Sequence, residues 1–314
     1  MARSIKAHIL LVLVTFAWGA TFVSVKDALG NVSPLVFNAL RMAIASMALV
    51  AIFFGQLKHL NKGAALGGAF LGVWLWLGYS CQTVGLGMTT ASKSAFITGL
   101  AVVLVPVMVA VSGRRVPNRW TLVGVACAFV GLYLMTIPNY PTQAKSGLEW
   151  GTIGTLLHGI NLGDLITLGC AVAFAAHIYT MGRLMKRYPF KPIAVMQIVT
   201  AAVLMAVTVP LGPVRMVLTG EAVFAILFTA LICTAAAFSI QAWAQQFTPP
   251  THTALIFALE PVFAALASRV LLGEHLGARG TVGALLILSG ILVSELKVSS
   301  VEAPKAVDAE FSIN

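Results

Sequence analysis

The chain has 314 residues, of which 59% are hydrophobic and 10% charged, with a mean hydropathy of +0.94. A soluble domain is about 25% charged and 45–50% apolar, so this composition excludes an ordinary cytosolic domain, a disordered chain and a collagen-like repeat. The formal charge of +10, from 20 Lys and Arg against 10 Asp and Glu, would suit a nucleic-acid partner if it formed a patch; here the basic residues lie in short segments between apolar runs, and no nucleic acid is expected.

A bilayer core about 30 Å thick takes roughly 20 mostly apolar residues per helix. The sequence predicts ten such spans, at 8–26, 34–54, 64–86, 91–112, 120–137, 163–182, 192–212, 222–244, 251–272 and 280–296. The first follows Arg3 and Lys6 and runs on through Trp18 and Thr21 without an A-x-A cleavage pattern. It outlasts the roughly 7–15-residue core of a signal peptide and reads as an uncleaved span. The alternating ten-residue runs of a transmembrane barrel are missing, and in lipid a helix satisfies its own backbone groups. The expected fold is an all-α polytopic membrane protein with the lipid bilayer as its surroundings. Cys81, Cys127, Cys170 and Cys233 lie in apolar runs without CxxC or zinc spacing and read as small buried apolar residues. No metal and no cofactor are expected.

Orientation follows from the basic residues. With a cytoplasmic N-terminus, the inner segments carry thirteen Lys and Arg, among them Arg114, Arg115, Arg183, Lys186 and Arg187, while the outer loops carry Lys145, Arg215 and Arg279 only. Thirteen against three is a strong positive-inside bias, which places both termini in the cytoplasm and the chain in the cytoplasmic (inner) membrane. The chain divides into a first five-helix repeat (1–137), an external linker (138–162) with Pro138, Pro141, Gly147, Gly151 and Gly154, a second five-helix repeat (163–297), and a polar tail (298–314) expected to be mobile.

The two halves resemble each other. Residues 80–132 laid on 239–291, an ungapped offset of 159, give eleven identities in 53 positions, including Ser80/Ser239, Gln82/Gln241, Thr89/Thr248, Gly124/Gly283 and Gly131/Gly290. Five spans per repeat is odd, so the halves face opposite ways across the membrane. Inverted repeats of this kind are a transporter design, with the solute held near the midplane between them. Pro106 and Pro261 fall in the corresponding fourth and ninth spans, one turn apart under the offset. Proline removes a backbone donor, and interrupted helices in matching places point to a solute pathway; simple packing kinks are the other reading.

A charge within the bilayer costs at least a few kcal/mol and asks for a partner or a watery cavity. Glu260, mid-span and directly before Pro261, has three functional readings: it binds a cationic group, carries a coupling proton, or latches the halves. A hydrogen-bonded structural acid beside the helix break is the fourth. Arg41 in the second span is either half of a structural pair or a cavity residue. Lys93, just inside the fourth span, is read as snorkelling to the outer interface, with a carboxylate partner as the other reading. Trp18, Thr21, Tyr79, Gln82, His177, Gln241 and Trp243 are polar or amphipathic positions in apolar helices, read as candidate walls and anchors of a solute site, although such groups also glue helices together. Gly63/Gly67, Gly68/Gly72 and Gly159/Gly163 have the GxxxG spacing of close helix packing. No HExxH, GxSxG, P-loop or Rossmann fingerprint is present, and no enzyme is expected.

The segment Leu259-Glu260-Pro261-Val262-Phe263-Ala264-Ala265-Leu266, with Leu272-Gly273-Glu274 and Gly283 after it, resembles the second repeat of EamA-type permeases of the drug/metabolite transporter superfamily. Ala17-Trp18-Gly19-Ala20-Thr21-Phe22, Arg41 after Pro34, Ala91-Ser92-Lys93-Ser94-Ala95-Phe96 and Asn161-Leu162-Gly163-Asp164 match in order, so the likeness covers residues 8–297. The resemblance implies ten helices in two inverted five-helix repeats around a central cavity, and a permease that often exports amino acids, related metabolites or toxic compounds. It carries over Trp18, Arg41, Glu260 and Glu274 as recurring family positions; Glu274 is not duplicated, since Arg115 stands opposite it under the offset.

The sequence therefore predicts a monomeric secondary-active transporter of small amphipathic metabolites working by alternating access. Trp18, Tyr79 and Trp243 are the expected aromatic wall, with Gln82 and Gln241 as polar anchors and Thr21 a further candidate binding position. Glu260 and His177 are candidates for coupling to a proton gradient, and Arg41, Pro106 and Pro261 for gating. The rivals are an uncoupled facilitator or channel, a translocase of lipids or lipid-linked intermediates, and a membrane enzyme.

Overall fold

A computed structural model describes residues 2–89, 94, 97–113, 117–136, 162–272 and 277–301. Lys93, Arg114, Arg115, Lys145, Glu274, nearly all of the 138–162 linker and the tail beyond residue 301 lie outside the described residues.

Among the described residues every regular element is helical: α1 (Ala2–Ala28), α2 (Pro34–Phe53), α3 (Lys62–Met88), α4 (Ala101–Gly113), α5 (Arg119–Thr136), α6 (Leu162–Leu184), α7 (Phe190–Thr208), α8 (Gly220–Ala230), α9 (Ala237–Ala244), α10 (Pro250–Phe257), α11 (Glu260–Leu272) and α12 (Ala278–Val301). A π-helical segment, Leu231–Ala236, joins α8 to α9. Seven helical stretches are long and apolar enough to cross a bilayer, and Ile97–Ser112, Arg119–Leu134 and Ala278–Ser294 are shorter apolar helices.

Local chemistry sets the ends. Pro34 and Pro250 stand at helix starts, where a missing N–H costs nothing. Asn61 and Thr219 cap α3 and α8 by accepting the Ala64 and Ala222 N–H groups at 2.8 and 3.2 Å. Within the predicted ninth span, α10 stops at Phe257 and α11 starts at Glu260, because Pro261 offers no N–H to the Phe257 carbonyl four residues back. Pro106, in contrast, lies inside the continuous α4; the chain turns just ahead of it, at Leu100.

Packing relies on small residues. In α3, a methyl on Gly68 would sit 2.5 Å from Met196 Cβ and one on Gly72 2.6 Å from the Gln197 carbonyl oxygen, so these glycines set α3 directly on α7. Likewise α5 and α12 pack along their length: a methyl on Gly124 would lie 2.6 Å from the Gly290 oxygen, and one on Gly131 2.5 Å from the Gly283 oxygen. These contacts are crossed and make the two helices antiparallel. Helix bounds also recur at the sequence offset of 159: α4 and α11 start and end 159 residues apart, and α5 and α12 start 159 apart.

The largest buried cluster includes Met42, Leu75, Tyr79, Ile198 and Phe238 from α2, α3, α7 and α9. At one end of the bundle the α1–α2 and α7–α8 loops clasp each other through an isolated bridge between Val32 and Met216. There the Ser33 N–H donates to the Arg215 carbonyl (2.9 Å), the Val217 N–H to the Asn31 carbonyl (3.1 Å) and the Arg215 guanidinium to the Leu29 carbonyl (3.0 Å).

Candidate functional site

A cavity of about 970 Å³, counting the part open to solvent, lies between helices from both halves of the chain. Its first-half wall is built by Trp18 and Thr21 of α1, Arg41 of α2, and Tyr79, Gln82 and Thr83 of α3. The second half contributes Phe174 and His177 of α6, Phe238 and Gln241 of α9, Phe257 of α10, and Glu260 at the start of α11. Gly19 lets α1 cross tightly here, since a methyl on it would lie 2.6 Å from the Glu260 carbonyl oxygen.

Arg41 is buried, 6% exposed, and fixed by neutral oxygens. Its Nε donates to Thr234 Oγ1 at 2.6 Å; one terminal nitrogen donates to the Tyr79 hydroxyl at 3.1 Å and to the Cys233 carbonyl at 3.3 Å. The guanidinium carbon stands 4.3 Å from the Tyr79 ring centre, a cation–π distance. Tyr79 is itself set by Asn38, whose Nδ2 donates to its backbone carbonyl at 3.0 Å. The π-helical segment explains the acceptor on α8's continuation. The Ala237 N–H bonds the Ile232 and Thr234 carbonyls, so the Cys233 carbonyl loses the donor that an α-helix would give it. It receives the Trp18 indole N–H instead, at 2.8 Å, together with Arg41. A buried carbonyl left without a donor would cost about 1–3 kcal/mol, so two first-half side chains repair a second-half helix.

Aromatic rings enclose this polar centre. Trp18 meets Phe257 at 4.9 Å and Phe238 at 5.7 Å between ring centres, while Tyr79 meets Phe174 at 5.2 Å and Phe238 at 6.1 Å. His177 stands edge-on to Phe238 at 5.5 Å, and its Nε2 is 2.9 Å from Gln197 Oε1. Gln241 Nε2 donates to Gln245 Oε1 (3.0 Å), and Gln245 Nε2 donates to the Ile178 carbonyl (2.9 Å). Glu260 brings the cavity's carboxyl group to the same space as Arg41, and the two form no ion pair among the described residues.

Of the residues singled out from sequence, Trp18, Thr21, Arg41, Tyr79, Gln82, His177, Gln241 and Glu260 line the cavity. Trp243 does not. Two residues beyond Gln241 on one helix, it points elsewhere, packing on Phe247 at 5.1 Å with Lys6 Nζ 5.7 Å from its ring. Pro106 and Pro261 shape backbone and are not among the lining residues. Sequence reading missed Phe174, Phe238 and Phe257, which look like any apolar helix position. It also missed Thr234 and the π turn, for which the run Leu231-Ile232-Cys233-Thr234-Ala235-Ala236 holds neither Gly nor Pro. Among the described residues no three His, Cys, Asp or Glu gather as metal ligands.

The model for the EamA-like transporter family matches residues 5–137 and 161–296. An uncharacterized transporter of Archaeoglobus fulgidus is 32% identical over 296 residues, 94% of this chain and 88% of that protein. A protein of Escherichia coli K12 named "Probable amino-acid metabolite efflux pump" is 23% identical over 92% of this chain and 94% of its own length. A crystal structure with 16% sequence identity superimposes with a TM-score of 0.71, covering 95% of this chain and 99% of that one, a likeness of fold.

Proposed function

Because the chain belongs to the EamA-like transporter family, a family of transporters and not of enzymes, we propose that it is a secondary-active exporter of small amphipathic metabolites, amino acids or related compounds, working by alternating access. The observation that carries this reading is the cavity between the halves, where Arg41 and Glu260 face one space inside an aromatic wall. An unmatched cation and acid in low dielectric suit a solute with both polar ends and an apolar body, since each buried charge gains most from a partner that arrives with the solute. The name of the Escherichia coli relative agrees with that class.

The architecture proposed is ten transmembrane helices in two inverted five-helix repeats joined by the 138–162 linker. The crossed glycines support it. Sequence pairs Gly124 with Gly283 and Gly131 with Gly290, whereas space pairs Gly124 with Gly290 and Gly131 with Gly283. That exchange is what a two-fold axis between equivalent helices produces, and antiparallel partners put the axis in the membrane plane. We propose a monomer in the cytoplasmic membrane with both termini inside, on the strength of the positive-inside bias. Glu260 is the proposed carrier of a coupling proton.

Untargeted mass spectrometry of spent medium tests this reading, comparing cells that overexpress the protein with cells that express Glu260→Gln to the same membrane level. The expected result is a small set of amino acids or related metabolites enriched at least several-fold with the unaltered protein alone. Equal media from both strains would overturn export of an endogenous metabolite through this cavity.

A further inference from the structure

α3 and the run from α8 through α9 hold equivalent places in the two halves, yet they differ by one residue. Their side-chain caps, Asn61 and Thr219, stand 158 apart. Identities near the caps, Ala64/Ala222 and Phe70/Phe228, keep 158, as do Pro34 and Pro192 in the helices before them. Beyond the π turn the spacing is 159, through Ser80/Ser239 and the cavity-lining pair Gln82/Gln241. α3 is unbroken from Lys62 to Met88, while its counterpart carries the π-helical segment Leu231–Ala236. A π-bulge is an α-helix that has taken in extra length within one turn, and such bulges gather at functional sites. The second half thus has one residue more than the first between cap and cavity, and the π turn absorbs it.

That residue has a specific consequence. It frees the Cys233 carbonyl and presents Thr234 Oγ1, which donates back to the Thr229 carbonyl at 2.8 Å while accepting from Arg41 Nε at 2.6 Å. We infer that the one-residue expansion of the α8–α9 helix, with Thr234 as positioning residue, is the device that holds Arg41 in the cavity. Among the described residues, the unbroken α3 gives no such pair of acceptors to a residue of the second half. Nor is there a second cation to hold: the positions matching Arg41 at offsets 158 and 159 are Val199 and Thr200, and the position matching Glu260 is Ala101. A nearly symmetric scaffold so acquires an asymmetric, singly cationic site. The pinning by Thr234 and Cys233 keeps the guanidinium turned to neutral oxygens and leaves the Glu260 carboxyl for proton or solute; this consequence, not the pinning itself, rests on the proposed transport.

The test needs no transported solute. Purified full-length protein in detergent is treated with phenylglyoxal, which modifies guanidinium groups, and labelling of Arg41 is followed by peptide mass spectrometry, with exposed Arg183 as internal reference. Four forms are compared: unaltered, Thr234→Ser, Thr234→Val, and a deletion of Ala236 that restores the cap-to-cavity spacing of α3. Arg41 is expected to react at least tenfold faster in Thr234→Val and in the deletion than in the unaltered protein and Thr234→Ser, with Arg183 unchanged. Should the deletion fail to fold, Thr234→Val against Thr234→Ser decides alone. Equal Arg41 rates in Thr234→Val and Thr234→Ser would overturn the inference, whatever the export measurement gives.

Discussion

Arg41 shows how much of the site depends on one side chain's shape. Its three hydrogen bonds run in a fork to Thr234, Tyr79 and the Cys233 carbonyl, a geometry that a planar guanidinium can serve and a lysine ammonium cannot. Arg41→Lys keeps the charge and loses the Nε bond. Leaving one buried acceptor unpaired costs about 1–3 kcal/mol, so the variant is expected to unfold several degrees lower in a detergent thermal melt, and to lose most of the proposed export. A melt and export both equal to the unaltered protein would mean that the fork does not matter. Arg41 was visible in the sequence as a charge within a span, and Glu260 likewise, because buried charge is rare enough to stand out. Phe238 was not visible, although it touches Trp18, Tyr79 and His177: in a helix surrounded by lipid and other helices, apolar residues occur on every face.

At the scale of elements, close helix crossings do the work that water would drive in a soluble protein, since lipid gives helices no hydrophobic reason to associate. Gly290 tests this at the α5–α12 contact, where a methyl would meet the Gly124 carbonyl oxygen at 2.6 Å. Gly290→Ala forces the helices apart and is expected to destabilise by about 1–3 kcal/mol, the usual cost of overpacking. Gly87→Ala is the matched control, because among the described residues nothing lies within 4 Å of the added methyl and alanine favours a helix by roughly 0.5–1 kcal/mol. Thermal unfolding of both variants should shift in opposite directions; equal shifts would deny the glycine contact its role. Elements were largely legible beforehand. The predicted span 64–86 became Lys62–Met88, and the proline before which Glu260 stands became a break between α10 and α11. The π turn was illegible because it comes from a length mismatch between two halves, and no residue type marks it.

For the whole molecule, the proposed arrangement of two halves in opposite orientation around one cavity is a means of exposing that cavity to each side in turn. The two end states must lie within a few kcal/mol for a solute to shift them. Crossed glycines, helix bounds at a constant offset and a cavity walled from both halves all bear on the proposed symmetry, while Arg41, Glu260 and the π turn depart from it at the cavity. The most direct measurement places a single cysteine at Ala101, a cavity-lining position opposite Glu260 under the repeat, in a background with the four native cysteines replaced. A membrane-impermeant thiol reagent is then applied to right-side-out and to inverted vesicles. Alternating access predicts modification from either side, each abolished by prior reaction from the other. Modification in only one of the two vesicle types, under every gradient applied, would make the cavity a closed-ended pocket and contradict transport through it.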